Sequence, residues 1–326
     1  MSRIRSSKNS FLILRLGFLA GSIYILLLIV DLELVFSHLM EMPFYTLAVL
    51  ILLNLFRSWL HGLRWQLLNP DLSEQLNMWQ YFRLIMIAHS FNLIMPGALG
   101  GDLARTGMTL KKVKKKRAEN VVAILADRLV GLISILFLGS TAFLITTDIP
   151  DRTVFYSFFA VIYLAIAVIF IILTNSSLHK LLSKHLHRLG RVGTWFNQAI
   201  IVWSNALKYF CNNSRKVALS LLLCLPIHGL SFFSAYLLAR SLSIQISFFD
   251  ISLIISLMWL VTAIPITISG AGVRELSLIY LFSIYGVAAE PATALSLYIY
   301  IISLLIGLFG LFFIIDWGKI FQPQLS

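Results

Sequence analysis

Long apolar runs alternate with short polar segments along almost the whole chain. We interpret the following runs as membrane helices: Phe11–Val30, Phe44–Leu60, Arg83–Met95, Val121–Thr146, Val154–Thr174, Val217–Leu238, Ile251–Ile264, Leu276–Val287 and Thr293–Ile315. The longer ones match the roughly 20 apolar residues that an α-helix needs to cross a bilayer. The alternating pattern of an outer-membrane β-barrel is absent from the sequence. The pattern therefore predicts an all-α polytopic membrane bundle with about 6–8 spanning helices.

Two of these runs end in stretches that a regular membrane helix does not contain. Residues 90–107 read SFNLIMPGALGGDLARTG, and residues 263–276 read AIPITISGAGVREL. Both contain the pattern Pro-x4-Gly-x3-Arg, at Pro96, Gly101, Arg105 and at Pro265, Gly270, Arg274. Proline removes a backbone donor and glycine adopts unusual dihedral angles, so both stretches predict helix breaks. Irregular backbone at membrane depth survives only inside protein or beside a watery cavity. We therefore predict two re-entrant hairpins of broken helices around a substrate site.

Composition is typical of a membrane protein, and the distribution of charge favours anionic lipid over nucleic acid as a partner. Hydrophobic residues make up 59% of the chain and charged residues 12%, whereas soluble domains have roughly 45–50% and 25%. The formal net charge of +12 would suit nucleic acid, but the basic residues cluster between apolar runs, which is typical of cytoplasmic loops. The densest cluster, KKVKKKR at Lys111–Arg117, is predicted to contact anionic lipid. It is too short to indicate a nucleic-acid partner.

The positive-inside rule gives the two broken stretches opposite orientations. Arg64 and Lys111 flank the first stretch, so the chain is expected to enter and leave there on the cytoplasmic side. Asp250 and Glu290 flank the second stretch in acidic loops, which are expected outside. Both chain termini are expected in the cytoplasm. Hairpins of opposite orientation predict an inverted repeat, a recurrent transporter architecture.

The chain is predicted to form one integral-membrane domain, residues 1–326, with pseudo-repeat halves of about 1–150 and 151–326. The longest polar segment, residues 175–216, is expected to be a cytoplasmic interfacial segment with an amphipathic helix, because apolar and aromatic residues recur there among basic ones. A GxxxG pattern at Gly17–Gly21 is explained equally by packing within the chain and by a homo-oligomer.

The first broken stretch carries Asp102 and Arg105 just after Gly101. Ionisable residues at membrane depth are costly and are functional candidates by default. The glycine lets the backbone approach a ligand, and a half-helix that begins there directs free N–H groups towards an anion. Arg105 has the planar fork that suits phosphate. The alternatives are that Asp102 caps the half-helix or pairs with Arg105 to pin the hairpin.

The second stretch repeats this chemistry. Gly270 and Gly272 open the backbone there. Arg274 is the phosphate candidate, and Glu275 is its orienting partner or a proton carrier. We therefore predict that Arg105 and Arg274 converge on one cavity near the middle of the bilayer.

Asp127 and Arg128 lie about two turns into an apolar run, too deep for an ordinary surface pair. Asp127 is expected to pair with Arg105 across helices. Arg128 is expected to reach the cytoplasmic headgroups with its long side chain. A direct contact with the ligand and a purely structural pair both stay open for these two residues.

For other polar residues near the spans, a structural role is an alternative to a role in binding the ligand. Asn92 is a candidate donor to a headgroup, although a hydrogen bond between helices is the commoner role. Arg57, His61 and Arg64 recur at one-turn spacing and are interpreted as a positive-inside anchor, with headgroup contact as the alternative. His89 and His228 lie in membrane segments without a carboxylate or cysteine at ligand spacing, so neither a metal site nor a cofactor is predicted.

Four segments carry a resemblance to a known family: RWQLL at Arg64–Leu68, FNLIMPGALGGDLAR at Phe91–Arg105, ADRLVGL at Ala126–Leu132 and IPITISGAGVRE at Ile264–Glu275. The chain resembles, over essentially its whole length, the lysylphosphatidylglycerol synthase transmembrane, or flippase-like, family, which includes the membrane half of the bacterial multiple peptide resistance factor. The resemblance implies an inner-membrane lipid translocase with two re-entrant hairpins around a headgroup cavity. Family members are associated with aminoacylated phosphatidylglycerol or with lipid-linked sugars.

We therefore expect a flippase or scramblase of the bacterial inner membrane whose partner is a phosphate-headgroup lipid, either an aminoacyl-phospholipid or a polyprenyl-phosphate-linked sugar. The chain shows no counterpart of the soluble aminoacyl-transferase domain, so we expect a transporter and not an enzyme. The alternative is an integral-membrane glycosyl or lipid-headgroup transferase, with Asp31 and Glu33 or Asp148 and Asp151 as candidate acids. A membrane scaffold is a third alternative.

Overall fold

A computed structural model describes residues 21, 24–69, 72, 74–94, 99–110, 117–147, 149, 152–175, 178, 184–185, 190–263 and 270–315. Within these ranges all regular secondary structure is helical, which confirms the all-α prediction. The helices are α1 Leu32–Met40, α2 Phe44–Leu68, α3 Met78–Ile94, α4 Leu99–Thr109, α5 Arg117–Ile145, α6 Arg152–Thr174, α7 Gly190–Asn212, α8 Ser214–Ser241, α9 Phe248–Thr262, α10 Val273–Ser283 and α11 Ala289–Ile315.

Several of these helices are long and apolar enough to cross a membrane. In the described part of the chain they are Phe44–Leu68, Asn120–Ile145, Arg152–Thr174, Ser214–Ser241 and Ala289–Ile314. Large apolar side chains are exposed along them, most extensively on α6. In water such a surface would aggregate, but a bilayer covers it. The protein is therefore a multi-pass membrane protein. Most of the predicted span Phe11–Val30 lies outside the described residues.

Two helices differ from the sequence-based boundaries. The second span was expected to end at Leu60, but α2 continues to Leu68, because the polar side chains of its last turns point into the bundle and not into a loop. The expected outer loop between the first two spans contains α1. The Asp31 carboxylate caps it by accepting a hydrogen bond from the Glu33 N–H at 2.9 Å. The predicted helix in the 175–216 segment is present as α7, which packs on α5 and α6.

Each predicted break separates two helices that pack against each other, α3 with α4 and α9 with α10. Pro96 and Pro265 lie outside the described residues, as does most of the predicted lipid-contacting run Lys111–Arg117. At the second break, Gly270 and Gly272 have φ angles of 76° and 81°. These values favour glycine strongly, so the two residues supply the sharp return of the chain into α10.

The helices of the two hairpins have exchanged packing partners. Helix α3 packs on α11, the long helix that follows the second hairpin, and α9 packs on α5, the long helix that follows the first. Helices α2 and α8, which precede the hairpins, pack on each other. Each hairpin thus packs in part on a long helix of the opposite half of the sequence. The division of the chain near residue 150 stays a prediction.

The crossing of α3 and α11 depends on a glycine. A Cβ at Gly310 would lie 2.1 Å from the Met86 carbonyl oxygen, and beside it the Ser90 hydroxyl donates to the Gly307 carbonyl at 2.5 Å. We expect Gly310→Ala to lower the free energy of unfolding by about 1–3 kcal/mol, because the crossing is already closely packed. Thermal unfolding in detergent measures this effect.

Gly229→Ala on α8 is the matched control, because nothing lies within 4 Å of its added Cβ. In a helix interior the change to alanine is favourable by about 1 kcal/mol or less. Equal melting temperatures for the two variants would contradict the proposed close crossing.

Candidate functional site

A cavity of about 390 Å³ lies between the two hairpins. Its walls come from α2, α3, α4, α5, α8, α9, α10 and α11, and from Gly270 in the second break. The polar residues that line it are Arg57, His61, Arg64, His89, Asn92, Asp102, Arg105, Asp127, Arg128, His228, Ser231, Thr262, Arg274 and Ser303. The bundle therefore has an apolar outer surface, and its basic side chains gather at a central cavity that apolar side chains also line.

One wall of the cavity is a network of buried ion pairs. The Asp127 carboxylate on α5 accepts hydrogen bonds from Arg64 Nε on α2 at 2.7 Å and from Arg105 Nη1 on α4 at 3.0 Å. Asp102 accepts from Arg105 Nη2 and, at 2.9 Å, from Arg128 Nη1. These five residues are called the arginine–aspartate network below. Because an unpaired charge is costly in a low-dielectric interior, the network fixes the relative positions of α2, α4 and α5.

A second buried pair lies at the start of α10. Arg274 Nη2 donates to Glu275 Oε1 at 2.6 Å, and Arg274 Nε donates to the Ser296 hydroxyl on α11 at 3.0 Å. The other carboxylate oxygen of Glu275 accepts from the Gly272 N–H at 2.6 Å. The Arg274 guanidinium also lies over the Tyr300 ring, 5.2 Å from its centroid. Gly272 and Glu275 do not line the cavity themselves, but they orient Arg274 towards it.

Asn92 and Gly101 join the two arms of the first hairpin. The Gly101 N–H donates to Asn92 Oδ1 at 2.6 Å, so Asn92 makes the bond between helices that was its alternative role. A Cβ at Gly101 would lie 2.9 Å from Asn92 Nδ2 and 3.0 Å from the Ala88 carbonyl oxygen. The glycine is therefore needed for the close approach of α4 to α3.

Most of the residues singled out in the sequence meet at this cavity. The predicted site residues that line it are Arg64, Asn92, Gly101, Asp102, Arg105, Asp127, Arg128, Gly270 and Arg274. The predicted pair of Asp127 with Arg105 is confirmed. The expectation that Arg128 reaches the headgroups is wrong, because its guanidinium pairs with the partly buried carboxylate of Asp102.

Sequence reasoning misassigned one stripe of residues and missed two histidines. Arg57, His61 and Arg64 were interpreted as a positive-inside anchor, but all three line the cavity, because the face of α2 that carries them turns towards the bundle. Their one-turn spacing within a continuing apolar helix was the available signal. His89 and His228 also line the cavity. Their Nε2 atoms lie within hydrogen-bond distance of the hydroxyls of neighbouring serines.

The cavity offers guanidinium forks, amide groups and neutral donors, which is the chemistry of an anion site. Among the residues that the structure describes, no group of three or more His, Cys, Asp and Glu side chains has the arrangement of a metal site.

The bridging role of Asp127 can be measured directly. Asp127→Asn removes the charge that Arg64 and Arg105 share, and we expect it to reduce the free energy of unfolding by about 3–5 kcal/mol, because two buried guanidinium groups lose a partner. Glu74→Gln, which removes a carboxylate from an exposed turn, should change it by no more than about 0.5 kcal/mol. Denaturation with SDS from detergent micelles compares the two. Unchanged stability of the Asp127 variant would contradict the bridging role.

Comparison with known proteins identifies a family for this chain. Neither the curated proteins nor the solved structures that were compared give a significant match. Residues 12–310 match a family described as the lysylphosphatidylglycerol synthase TM region. The match covers most of the chain, including both broken stretches and every helix that lines the cavity. This protein therefore belongs to the lysylphosphatidylglycerol synthase transmembrane family.

Proposed function

We propose that this protein is a lipid translocase of the bacterial inner membrane, a flippase or scramblase that carries a phosphate-bearing headgroup through the central cavity. The observation that carries the proposal is that both broken stretches contribute an arginine, Arg105 and Arg274, to the same cavity. Membership of a family that is concerned with a membrane lipid supports a lipid as the substrate.

The energetic obstacle to lipid translocation is the headgroup and not the chains. A bare phosphate that leaves water for hydrocarbon loses its hydration at a cost of many kcal/mol. Guanidinium groups and polar side chains in the cavity replace the lost water contacts. The exposed apolar faces of the outer helices suit acyl or prenyl chains, so the headgroup travels inside the protein while the chains stay in the bilayer.

The exchanged packing of the two hairpins supports an inverted-repeat mechanism. In transporters of this architecture, access alternates when one repeat rocks against the other around a fixed central site. Helices α3 and α9 each pack on a long helix of the other half. Re-entrant hairpins of opposite orientation, with both termini in the cytoplasm, complete this proposal.

The transferase alternative has less support from the described residues. Asp31, one of its candidate acids, is used to cap α1 through the N–H groups of Glu33 and Leu34. Asp148 and Asp151 lie outside the described residues. The polar groups described above concentrate instead in the central cavity.

A translocation assay with a blocked cavity tests the proposal. Ser231→Trp places a bulky ring in the cavity, which Ser231 lines, and should slow the protein-dependent movement of fluorescent phosphatidylglycerol across proteoliposomes by at least about tenfold, which corresponds to about 1.4 kcal/mol. Leu225→Trp on the lipid-exposed face of the same helix should leave the rate near that of the wild type. Dithionite quenching of outer-leaflet dye gives both rates.

Equal rates for Ser231→Trp and Leu225→Trp would contradict passage through this cavity. A wild-type rate equal to that of protein-free vesicles would contradict translocation of this lipid. A cavity substitution is preferred to removal of Arg105, because loss of that side chain would also break the arginine–aspartate network.

A further inference from the structure

Arg57 differs from the other arginines that line the cavity. Four of them pair with carboxylates: Arg64, Arg105, Arg128 and Arg274. Arg57 has no ion pair with any described residue, and its Nε atom is buried without a hydrogen-bond partner. Its guanidinium lines the cavity and is therefore available to a ligand, whereas the other four are already engaged.

The position of Arg57 along α2 makes an unpaired charge especially costly. The helix runs from Phe44 to Leu68, so Arg57 follows the central residue of its 25 residues. At about 1.5 Å per residue this places it within about 2 Å of the midpoint of the helix axis. An ionisable side chain in the middle of a membrane-spanning helix is costly and marks a functional site by default. No structural pair among the described residues explains this arginine.

Three histidines that can hydrogen-bond a ligand line the same cavity as Arg57. His61 follows one turn later on α2, and His89 and His228 line the same cavity. The Nε2 atom of His89 lies 3.2 Å from the Ser58 hydroxyl, and that of His228 lies 3.0 Å from the Ser134 hydroxyl. A neutral imidazole provides one donor and one acceptor. A guanidinium without a carboxylate partner, in a cavity that also offers hydrogen-bonding side chains, suits a phosphate oxyanion, which the fork binds in bidentate fashion.

The charge of the whole cavity extends the argument to the headgroup. The five arginines are opposed by Asp102 and Asp127 in the lining and by Glu275 behind Arg274, which leaves a net charge of +2 for this described set. Residues 95–98 and 264–269, which connect the arms of the hairpins, carry no ionisable side chain. A net-anionic headgroup would be attracted to this cavity, whereas like charges brought together cost several kcal/mol.

We propose that Arg57 binds the phosphate of a net-anionic lipid headgroup, and that the surplus positive charge of the cavity disfavours a cationic aminoacyl headgroup. The proposal rests on the proposed function only for the identity of the ligand as a lipid. It assigns the direct phosphate contact to Arg57, whereas Arg105 and Arg274, whose guanidinium groups have carboxylate partners, contribute positive charge to the cavity. Phosphatidylglycerol and polyprenyl phosphates belong to the favoured class. Lysylphosphatidylglycerol, with one phosphate charge and two amines, belongs to the disfavoured one.

Lipid-dependent thermal stabilisation of the purified full-length protein tests this proposal. A ligand that binds only the folded state raises the melting temperature, and the stabilisation grows with the logarithm of one plus its concentration divided by its Kd. In neutral detergent we expect phosphatidylglycerol to stabilise the wild type with an apparent Kd at least tenfold lower than that of lysylphosphatidylglycerol. Arg57→Gln should weaken phosphatidylglycerol binding at least tenfold and narrow the difference between the two lipids.

Two further variants separate the anion site from general effects on folding. Arg240→Gln makes the same substitution at an exposed arginine that bonds Gln245, and it should bind both lipids as the wild type does. Arg57→Lys keeps the charge but loses the fork, so it should retain the preference for phosphatidylglycerol with an intermediate Kd. Without lipid, Arg57→Gln should melt at or above the wild-type temperature, because it removes a buried unpaired charge.

Three results would overturn the proposal. They are unchanged phosphatidylglycerol binding in Arg57→Gln, equal binding of the two lipids by the wild type, and stabilisation by inorganic phosphate without stabilisation by either lipid. If Arg57→Gln binds normally while Ser231→Trp still slows translocation, this proposal fails and the proposed function stands. If Arg57 governs lipid binding but the wild type moves no lipid, the anion site stands and translocation fails.

Discussion

Asp127 is the residue on which the arrangement of the polar centre depends. Its two carboxylate oxygens bond arginines from two other helices, so α2, α4 and α5 meet where these charges neutralise one another. In a medium of low dielectric constant the alternative is an isolated charge, which is far more costly than a distorted helix packing. Asp102 likewise accepts hydrogen bonds from two arginines, Arg105 and Arg128. The wall of the cavity is therefore built from charges that have already satisfied one another.

In the second hairpin the buried charges are also neutralised by an ion pair, but the partners are close in sequence. Arg274 and Glu275 are neighbours in sequence, and their pair is completed by a backbone N–H of the same turn and by Ser296 of α11. The ion pairs of the first hairpin involve α2 and α5, whereas the ion pair of the second lies within the hairpin and is completed by α11. The two broken stretches share a sequence pattern, but different interactions hold their arginines in place.

The features that could be predicted from the sequence are those that depend on local chemistry. Apolar runs and glycines marked the helices and their breaks, because both act through the backbone of a few residues. The pair of Asp127 with Arg105 could be predicted because charges at membrane depth need partners. The direction in which Arg57 and His61 point could not, since the rotation of α2 about its axis is set by the helices that pack on it. The helix cap at Asp31 could not be predicted, because an acidic residue before a short apolar run is equally typical of a loop.

The exchanged packing of the hairpins has a mechanical consequence. Helix α3 lies against α11, which also packs on α10, and α9 lies against α5, which also packs on α4. Each of these long helices therefore contacts the first arm of one hairpin and the second arm of the other. In the proposed transport mechanism, a movement of one hairpin would be expected to shift the other as well, because α5 and α11 each contact both.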